Sequence, residues 1–191
     1  MAQLPADFNW PLDDTTMYAT LARPVGPGRF PAVVMVAGSG PTDRDWNTPL
    51  IPGDNGSARL LAGVLGENGI ASLRYDKRAS GVHAAENFPK LIGKVSMRAH
   101  VDELASAVSF LAGQEFVDPA RIFALTNSEG ALHALNYQLG SPALPFAGLI
   151  LTAPPGRVMG AVGRAQIAAQ LAMLPDGAGL LAAYDEAIAR F

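Results

Sequence analysis

Apolar residues along the chain form short continuous runs that alternate with longer stretches in which they recur every three or four positions. The short runs are almost uniformly apolar, as in strands that are buried on both faces of a parallel sheet. They predict four core strands, at residues 31–37, 70–75, 121–126 and 146–152. A further extended segment is predicted at residues 15–22. The longer stretches predict helices at residues 57–65, 96–112 and 129–139.

Strands that alternate with helices predict an α/β fold with a mostly parallel sheet and helices on both of its faces. In such a sheet, ligands bind at the carboxyl ends of the strands. We therefore expect the chemistry in the loops that follow residues 37, 75, 126 and 152. Beyond residue 155 the pattern becomes helical. The sequence thus predicts a core over residues 1–155 and a helical segment over residues 156–191.

The composition excludes several classes of protein. Of the 191 residues, 49% are hydrophobic and 16% are charged, which is typical of a globular chain, and the net charge of −3 argues against a nucleic-acid surface. The absence of cysteine excludes disulfides and thiolate metal sites. No apolar run is long enough to span a bilayer, and the first residues carry no secretory signal. We expect a cytoplasmic protein without a metal or cofactor.

One serine stands where a predicted strand runs directly into a predicted helix. The segment from Leu125 to Ala131 reads Leu-Thr-Asn-Ser-Glu-Gly-Ala, with Ser128 at the corner. A nucleophile elbow has this order, because the tight turn lifts the serine hydroxyl above the sheet. Serine is also a common helix cap. The motif by itself fits both interpretations.

The loop after the first core strand, Gly38-Ser-Gly-Pro-Thr-Asp-Arg-Asp45, favours the nucleophile. Glycines let the backbone approach a ligand closely. An oxyanion hole at such an elbow takes backbone N–H groups from this loop and from the residue after the nucleophile, which are Ser39 and Glu129 here. The loop does not match a dinucleotide-binding or phosphate-binding motif, since Asp43 replaces the third glycine and no Gly-Lys-Ser/Thr follows. We expect its charged residues to brace it.

Four segments together resemble α/β-hydrolase proteins of the serine aminopeptidase and dienelactone-hydrolase-like groups. They match in order and spacing over residues 15–155, and they are residues 38–45, Leu73-Arg-Tyr-Asp-Lys-Arg78 with Ser80-Gly81, Arg121-Ile-Phe, and Asn127-Ser-Glu-Gly130. Ala37-Gly38 replaces the usual His-Gly, and Thr126-Asn127-Ser128 replaces the usual Gly-His-Ser. The resemblance implies an α/β-hydrolase fold, and it implies that the helical segment after residue 155 is part of a lid.

A serine hydrolase needs a base, and the chain contains three histidines. His133 follows Ser128 by five residues, which turns its side chain about 140° away on a helix, so we expect it to pack against the sheet. His100 is predicted on a solvated helix face. His83 follows a core strand at the correct edge and is a minor candidate. The charged run 76–78 is predicted to be a salt-bridged loop.

In the chain order that the resemblance implies, an acid and then a histidine follow the nucleophile. His133 is the sole histidine after Ser128. We therefore expect the strands that carry the acid and the histidine to be missing, so that the chain is incomplete at its C-terminus or is a non-catalytic remnant. A missing C-terminal segment or a second copy of the chain would then cover the edge strand at 146–152.

The leading hypothesis is a serine hydrolase in which Ser128 attacks a carboxylic ester or a related small acyl substrate. These 191 residues alone are expected to be inactive, because the Asp/His partners lie outside them. The alternative is a non-catalytic α/β-hydrolase-like protein with a binding or interaction role. The substrate, and the choice between esterase, thioesterase and peptidase, stay open.

Overall fold

The computed structural model describes residues 3–50 and 52–189, in which strands and helices alternate along the chain. The strands are β1 (Gln3–Leu12), β2 (Thr15–Pro24), β3 (Phe30–Val36), β4 (Ala71–Asp76), β5 (Val117–Asn127) and β6 (Gly148–Thr152). The helices are α1 (Ser57–Glu67), α2 (Ala84–Leu91), α3 (Met97–Ala112), α4 (Gly130–Leu139), α5 (Met159–Leu171) and α6 (Gly177–Ile188).

The strands form one sheet in the order β1-β2-β4-β3-β5-β6. Four of them, β4, β3, β5 and β6, run parallel to one another. β1 and β2 form an antiparallel hairpin, and β2 joins β4 in antiparallel fashion. The predicted mostly parallel α/β sheet is therefore confirmed, with an antiparallel pair added at one edge.

The apolar run of β3 explains how one short strand serves both faces of the sheet. Successive side chains of a strand point to opposite faces. Residues 32, 34 and 36 lie in a core cluster with Leu104 of α3 and Ala134 of α4. Residues 33, 35 and 37 lie in a second cluster with Ala58 and Ala62 of α1. Helices therefore cover both faces, as the pattern predicted.

The strand β1 and the helix α2 were not predicted from the sequence, and both contain proline. β1 carries Pro5 and Pro11, but it lies at the edge of the sheet, where a missing N–H costs no ladder bond. α2 contains Pro89. β5 also begins earlier than predicted, because Pro119 interrupts the pairing with β3 without ending the strand.

The chain divides into two compact units, one that ends at Pro154 and one that begins at Pro155. The second unit consists of α5 and α6. Arg164 on α5 pairs with Asp185 on α6 through two hydrogen bonds of 2.6 Å each. Within the described ranges no helix of either unit is long and apolar enough to cross a bilayer.

α4 begins closer to the end of β3 than a side chain would allow. A Cβ atom placed on Gly130 would lie 2.6 Å from the carbonyl oxygens of both Val36 and Ala37. Gly130 lies two residues after Ser128, so the absence of a side chain determines how closely the corner between β5 and α4 approaches the loop after β3.

Replacing Gly130 with alanine should therefore force the backbones apart. We expect the Gly130→Ala substitution to lower the free energy of unfolding by about 1–3 kcal/mol in urea titrations, the usual cost of overpacking. Gly113→Ala is the matched control, because Gly113 has right-handed helical backbone angles and a Cβ there would lie 3.5 Å from its nearest neighbour. The control should change stability by less than about 0.5 kcal/mol. Equal losses in both variants would contradict the close-approach argument.

Candidate active site

Ser128 lies at a sharp corner between a core strand and a helix. β5 ends at Asn127 and α4 begins at Gly130. Ser128 has a positive φ of 51°, which is uncommon for a residue with a side chain. Its N–H donates to the carbonyl of Thr152 at 2.9 Å, and its own carbonyl accepts from the N–H of Ala131 at 3.0 Å. These two bonds hold a left-handed turn at the carboxyl edge of the sheet.

The helix-cap interpretation of Ser128 does not agree with this geometry. Glu129, not Ser128, occupies the N-cap position of α4, and its side chain makes no capping bond. Among residues 3–50 and 52–189, no hydrogen-bond partner is found for the Ser128 hydroxyl. The half-buried hydroxyl is therefore free to meet a ligand.

The glycine loop after β3 contacts this corner. A Cβ atom placed on Gly38 would lie 3.2 Å from both the carbonyl oxygen of Asn127 and the Cβ of Ser128. Ser39 is the residue after Gly38, and Glu129 is the residue after Ser128. Within the described part of the chain, neither of their N–H groups has an acceptor. The corner thus brings together a hydroxyl and the segments that carry two unpaired N–H donors.

The charged residues of the loop brace it, as predicted. The carboxylate of the buried Asp76 accepts from the backbone N–H of Arg44 at 2.7 Å and from its guanidinium at 2.9 and 2.6 Å. Asp43 accepts from the N–H groups of Asp45 and Asn47 at 2.8 and 2.9 Å. Asp45 in turn pairs with Arg74. Ion pairs and hydrogen bonds therefore connect the loop to β4, and hydrogen bonds to Asp43 stabilise the turn within the loop.

The charged run 76–78 at the end of β4 was predicted to be a salt-bridged loop, and this is right for two of its three residues. Asp76 pairs with Arg44, and Arg78 pairs with Glu103 at 3.0 Å. Lys77 differs, because its ammonium donates to the carbonyls of Gly38 and Gly40 instead of a carboxylate. Only its position at the end of a core strand hinted at this role.

The three histidines contact groups other than Ser128. His83 stacks on Tyr18 with ring centroids 3.9 Å apart and bonds to Glu86 at 2.7 Å. His100 was predicted on a solvated face, which is wrong: it bonds to Glu103 at 3.0 Å, and its ring lies 4.8 Å from that of His133. The side of α3 that carries His100 packs against α4 instead of facing solvent.

His133 is buried, and its Nε2 has no hydrogen-bond partner within the described residues. Burial lowers the pKa of His133 to about 4, and the neighbouring charges of His100 and Lys77 act in the same direction. Glu129 and Glu103 oppose the shift. A neutral, buried imidazole of this kind belongs to the interior, as the helical spacing predicted.

Two adjoining cavities lie along the carboxyl edge of the sheet. The smaller has a volume of about 270 Å³, and its wall includes Lys77, His100 and Glu129. The larger has a volume of about 690 Å³ and lies between the loop after β3 and the loop before α2. Both walls include Pro41, Ala79 and Ser80. A small-molecule ligand beside Glu129 would therefore have room to extend.

The order and direction of the strands, together with this corner, decide the fold family. The chain has the α/β-hydrolase fold. It is similar to the α/β hydrolase GrgF from Penicillium sp. sh18, with a TM-score of 0.63 and 22% identity over 89% of this chain and 53% of that one. It is also similar to dienelactone hydrolase from Anabaena variabilis, with a TM-score of 0.59 and 16% identity over 80% of this chain and 64% of that one.

A curated relative in sequence is esterase EstD from Thermotoga maritima, which is 32% identical over 137 residues. That alignment covers 70% of this chain and 29% of the esterase, so the chain spans less than a third of the length of this relative. No protein-family model matches the chain. The resemblance to α/β hydrolases that the sequence motifs carry is confirmed.

The buried His133 should make the stability of this chain depend on pH. Its pKa of about 4 in the folded chain lies below the 6.5 of an exposed imidazole, so the unfolded chain takes up the proton more readily. The contribution of neutral His133 to the free energy of unfolding should be fully present above about pH 6.5. It should be lost as the pH drops towards 4, by on the order of 2–3 kcal/mol.

The measurement is urea denaturation of wild type and His133→Phe at several pH values between these limits. The variant should not lose this part of its free energy of unfolding at acid pH. The plots of unfolding free energy against pH for the two proteins should therefore converge as the pH falls. Parallel curves for wild type and His133→Phe would show that His133 does not carry the effect.

Proposed function

We propose that this chain carries the nucleophile and the oxyanion hole of a serine hydrolase that acts on carboxylic esters or related acyl compounds. The observation that carries the proposal is the corner at Ser128, where a free hydroxyl adjoins two segments with unpaired N–H groups. The similarity to an esterase and to hydrolases supports hydrolase chemistry. The identity of the nucleophile rests on the geometry alone.

In this mechanism the Ser128 Oγ attacks the acyl carbon of the substrate, and the carbonyl oxygen becomes an oxyanion. The N–H groups of Ser39 and Glu129 donate to that oxygen, which stabilises the charge that develops in the transition state. Collapse of the tetrahedral intermediate expels the alcohol and leaves an acyl ester on Ser128. Water then attacks this ester and releases the acid.

The mechanism also needs a base that removes the proton from Oγ and returns it to the leaving alcohol. No imidazole is bonded to Ser128 within the described ranges, since each histidine has other neighbours. This observation favours the second candidate, a protein that keeps the fold and binds acyl compounds without turning them over. The two candidates differ in whether Ser128 is activated.

A fluorophosphonate probe tests that difference, because it reacts with activated serine hydroxyls. We expect the polypeptide expressed from its complete reading frame to be phosphonylated at Ser128 and to hydrolyse p-nitrophenyl esters. Ser128→Ala should abolish the labelling and lower kcat by about 10³-fold or more. The 191-residue chain by itself should label far more slowly.

Ser141→Ala is the matched control for the removal of a hydroxyl. Ser141 has a similar positive φ of 53° and follows the other end of α4. This variant should label and turn over like the wild type. A folded, complete polypeptide that binds esters but labels at no serine would favour the non-catalytic candidate.

The larger cavity suits an apolar part of the substrate. Three of its polar side chains already have partners within the fold: Asp43 accepts from two backbone N–H groups, Asn47 accepts from the N–H of Gly56, and Ser80 donates to the carbonyl of Lys77. Besides Thr48 and Asp54, the other lining side chains are aliphatic, and they include Pro41, Pro49, Ala79, Val82 and Ala84. Esters with an apolar acyl or alcohol chain are therefore the preferred substrate class.

Chain-length dependence tests this preference. In a series of p-nitrophenyl esters, kcat/KM should rise by about threefold to fourfold for each methylene that the cavity buries. Ala79→Phe should reduce the rate with long chains more than the rate with acetate, because the ring would occupy the space that both cavities share. Ala85→Phe is the control, since Ala85 is exposed on α2. A flat series would contradict an apolar site.

A further inference from the structure

Lys77 is an unusual residue for a protein interior. Its side chain is only 5% exposed, and among residues 3–50 and 52–189 no carboxylate lies within ion-pair distance of it. Buried lysines are rare unless they are paired, because an ammonium group loses hydration on burial. Burial accordingly lowers the pKa of Lys77, although the charges of Glu129 and Glu103 oppose this. Two backbone carbonyls take the place of a counter-ion.

The two carbonyls belong to the glycines on either side of Ser39. Lys77 Nζ lies 2.5 Å from the oxygen of Gly38 and 2.6 Å from that of Gly40. The carbonyl of Gly38 and the N–H of Ser39 are parts of one planar trans peptide unit, so they point in opposite directions. Holding this oxygen therefore fixes the direction of the Ser39 N–H, which points away from the ammonium group.

The second bond fixes the other side of the loop without using a donor that the site needs. The peptide unit after Gly40 ends at the nitrogen of Pro41, which has no hydrogen. Gly38 itself lies against Ser128, because a Cβ atom placed on Gly38 would be 3.2 Å from the Cβ of Ser128. The peptide unit that Lys77 holds is thus the one that passes beside the proposed nucleophile.

We propose that Lys77 is a positioning residue for the oxyanion hole, which aims the Ser39 N–H at the substrate oxygen and strengthens it as a donor. The inference rests on the proposed function of Ser128. A cation on the carbonyl side of a peptide unit polarises it, so that its N–H binds an oxyanion more strongly. This contribution appears in the transition state and leaves the binding of the uncharged ester nearly unchanged.

Lys77→Met tests the kinetic side, because methionine keeps the length of the side chain and removes the ammonium. We expect kcat with p-nitrophenyl esters, and the rate of fluorophosphonate labelling, to fall about 10- to 100-fold. KM should stay within about threefold. Lys77→Arg, which keeps a cation, should recover part of kcat. Lys90→Met is the matched control: Lys90 also donates to a backbone carbonyl, that of Asp14, on the exposed surface, and its loss should change neither rate.

Carbon-detected NMR on the wild type supplies a readout that needs no turnover and no variant. The ¹³C carbonyl resonance of Gly38 and the ¹⁵N resonance of Ser39 should shift at alkaline pH with one midpoint, shared with the Lys77 side chain and below that of exposed lysines. The other titratable side chains that face Lys77 are Glu103, Glu129, His100 and His133, none of which is an amine.

The outcomes separate this proposal from the proposed function. If Ser128 is labelled but folded Lys77→Met keeps the wild-type rate, or if the Gly38 and Ser39 resonances ignore the titration of Lys77, the positioning role is wrong while the hydrolase proposal stands. If no serine is labelled in the complete polypeptide, the hydrolase proposal fails. A shared NMR midpoint would then still support the coupling of Lys77 to the Ser39 peptide unit.

Discussion

The close approach of α4 to the end of β3 is the constraint on which the rest of the site depends. The backbone of Gly130 lies so near the carbonyls of Val36 and Ala37 that no side chain fits between them. Because α4 begins so close to β3, the chain passes from β5 to α4 through a turn of only two residues, and Ser128 is one of them. The same approach brings the loop after β3 against Ser128. One missing side chain thus positions both halves of the candidate site.

Around this contact, buried charges are used to hold loops in place. Arg44 and Asp76 connect the loop after β3 to β4, while Arg78 and Glu103 connect the segment after β4 to α3. Breaking a buried pair by removing one partner costs several kcal/mol, because the other charge is left uncompensated. The loops at this edge of the sheet are therefore held by ion pairs that lie outside the corner itself.

The sheet and the position of Ser128 were predictable because both depend on local patterns. Buried strands such as β3 are continuous apolar runs, and the strand-Ser-Glu-Gly-helix order is contiguous in the chain. β1 and α2 were missed because their prolines conflict with intrinsic preferences that tertiary position overrides. The contact of Lys77 with Gly38 and that of His100 with His133 could not be foreseen, since Gly38 is 39 residues away in the chain and His133 is on a different helix.

Backbone strain by itself does not identify an active site in this chain. Asp13, Trp46, Ser141 and Ala153 also have positive φ angles, at a cost on the order of 1 kcal/mol each. What distinguishes Ser128 is what surrounds it. Its turn is held by bonds to Thr152 and Ala131, its hydroxyl is not used by the fold, and the peptide unit of Gly38 passes beside it. A strained turn that leaves a hydroxyl and two N–H groups unpaired at the carboxyl edge of the sheet, where such folds bind ligands, is the basis for the proposed role of Ser128 as a nucleophile.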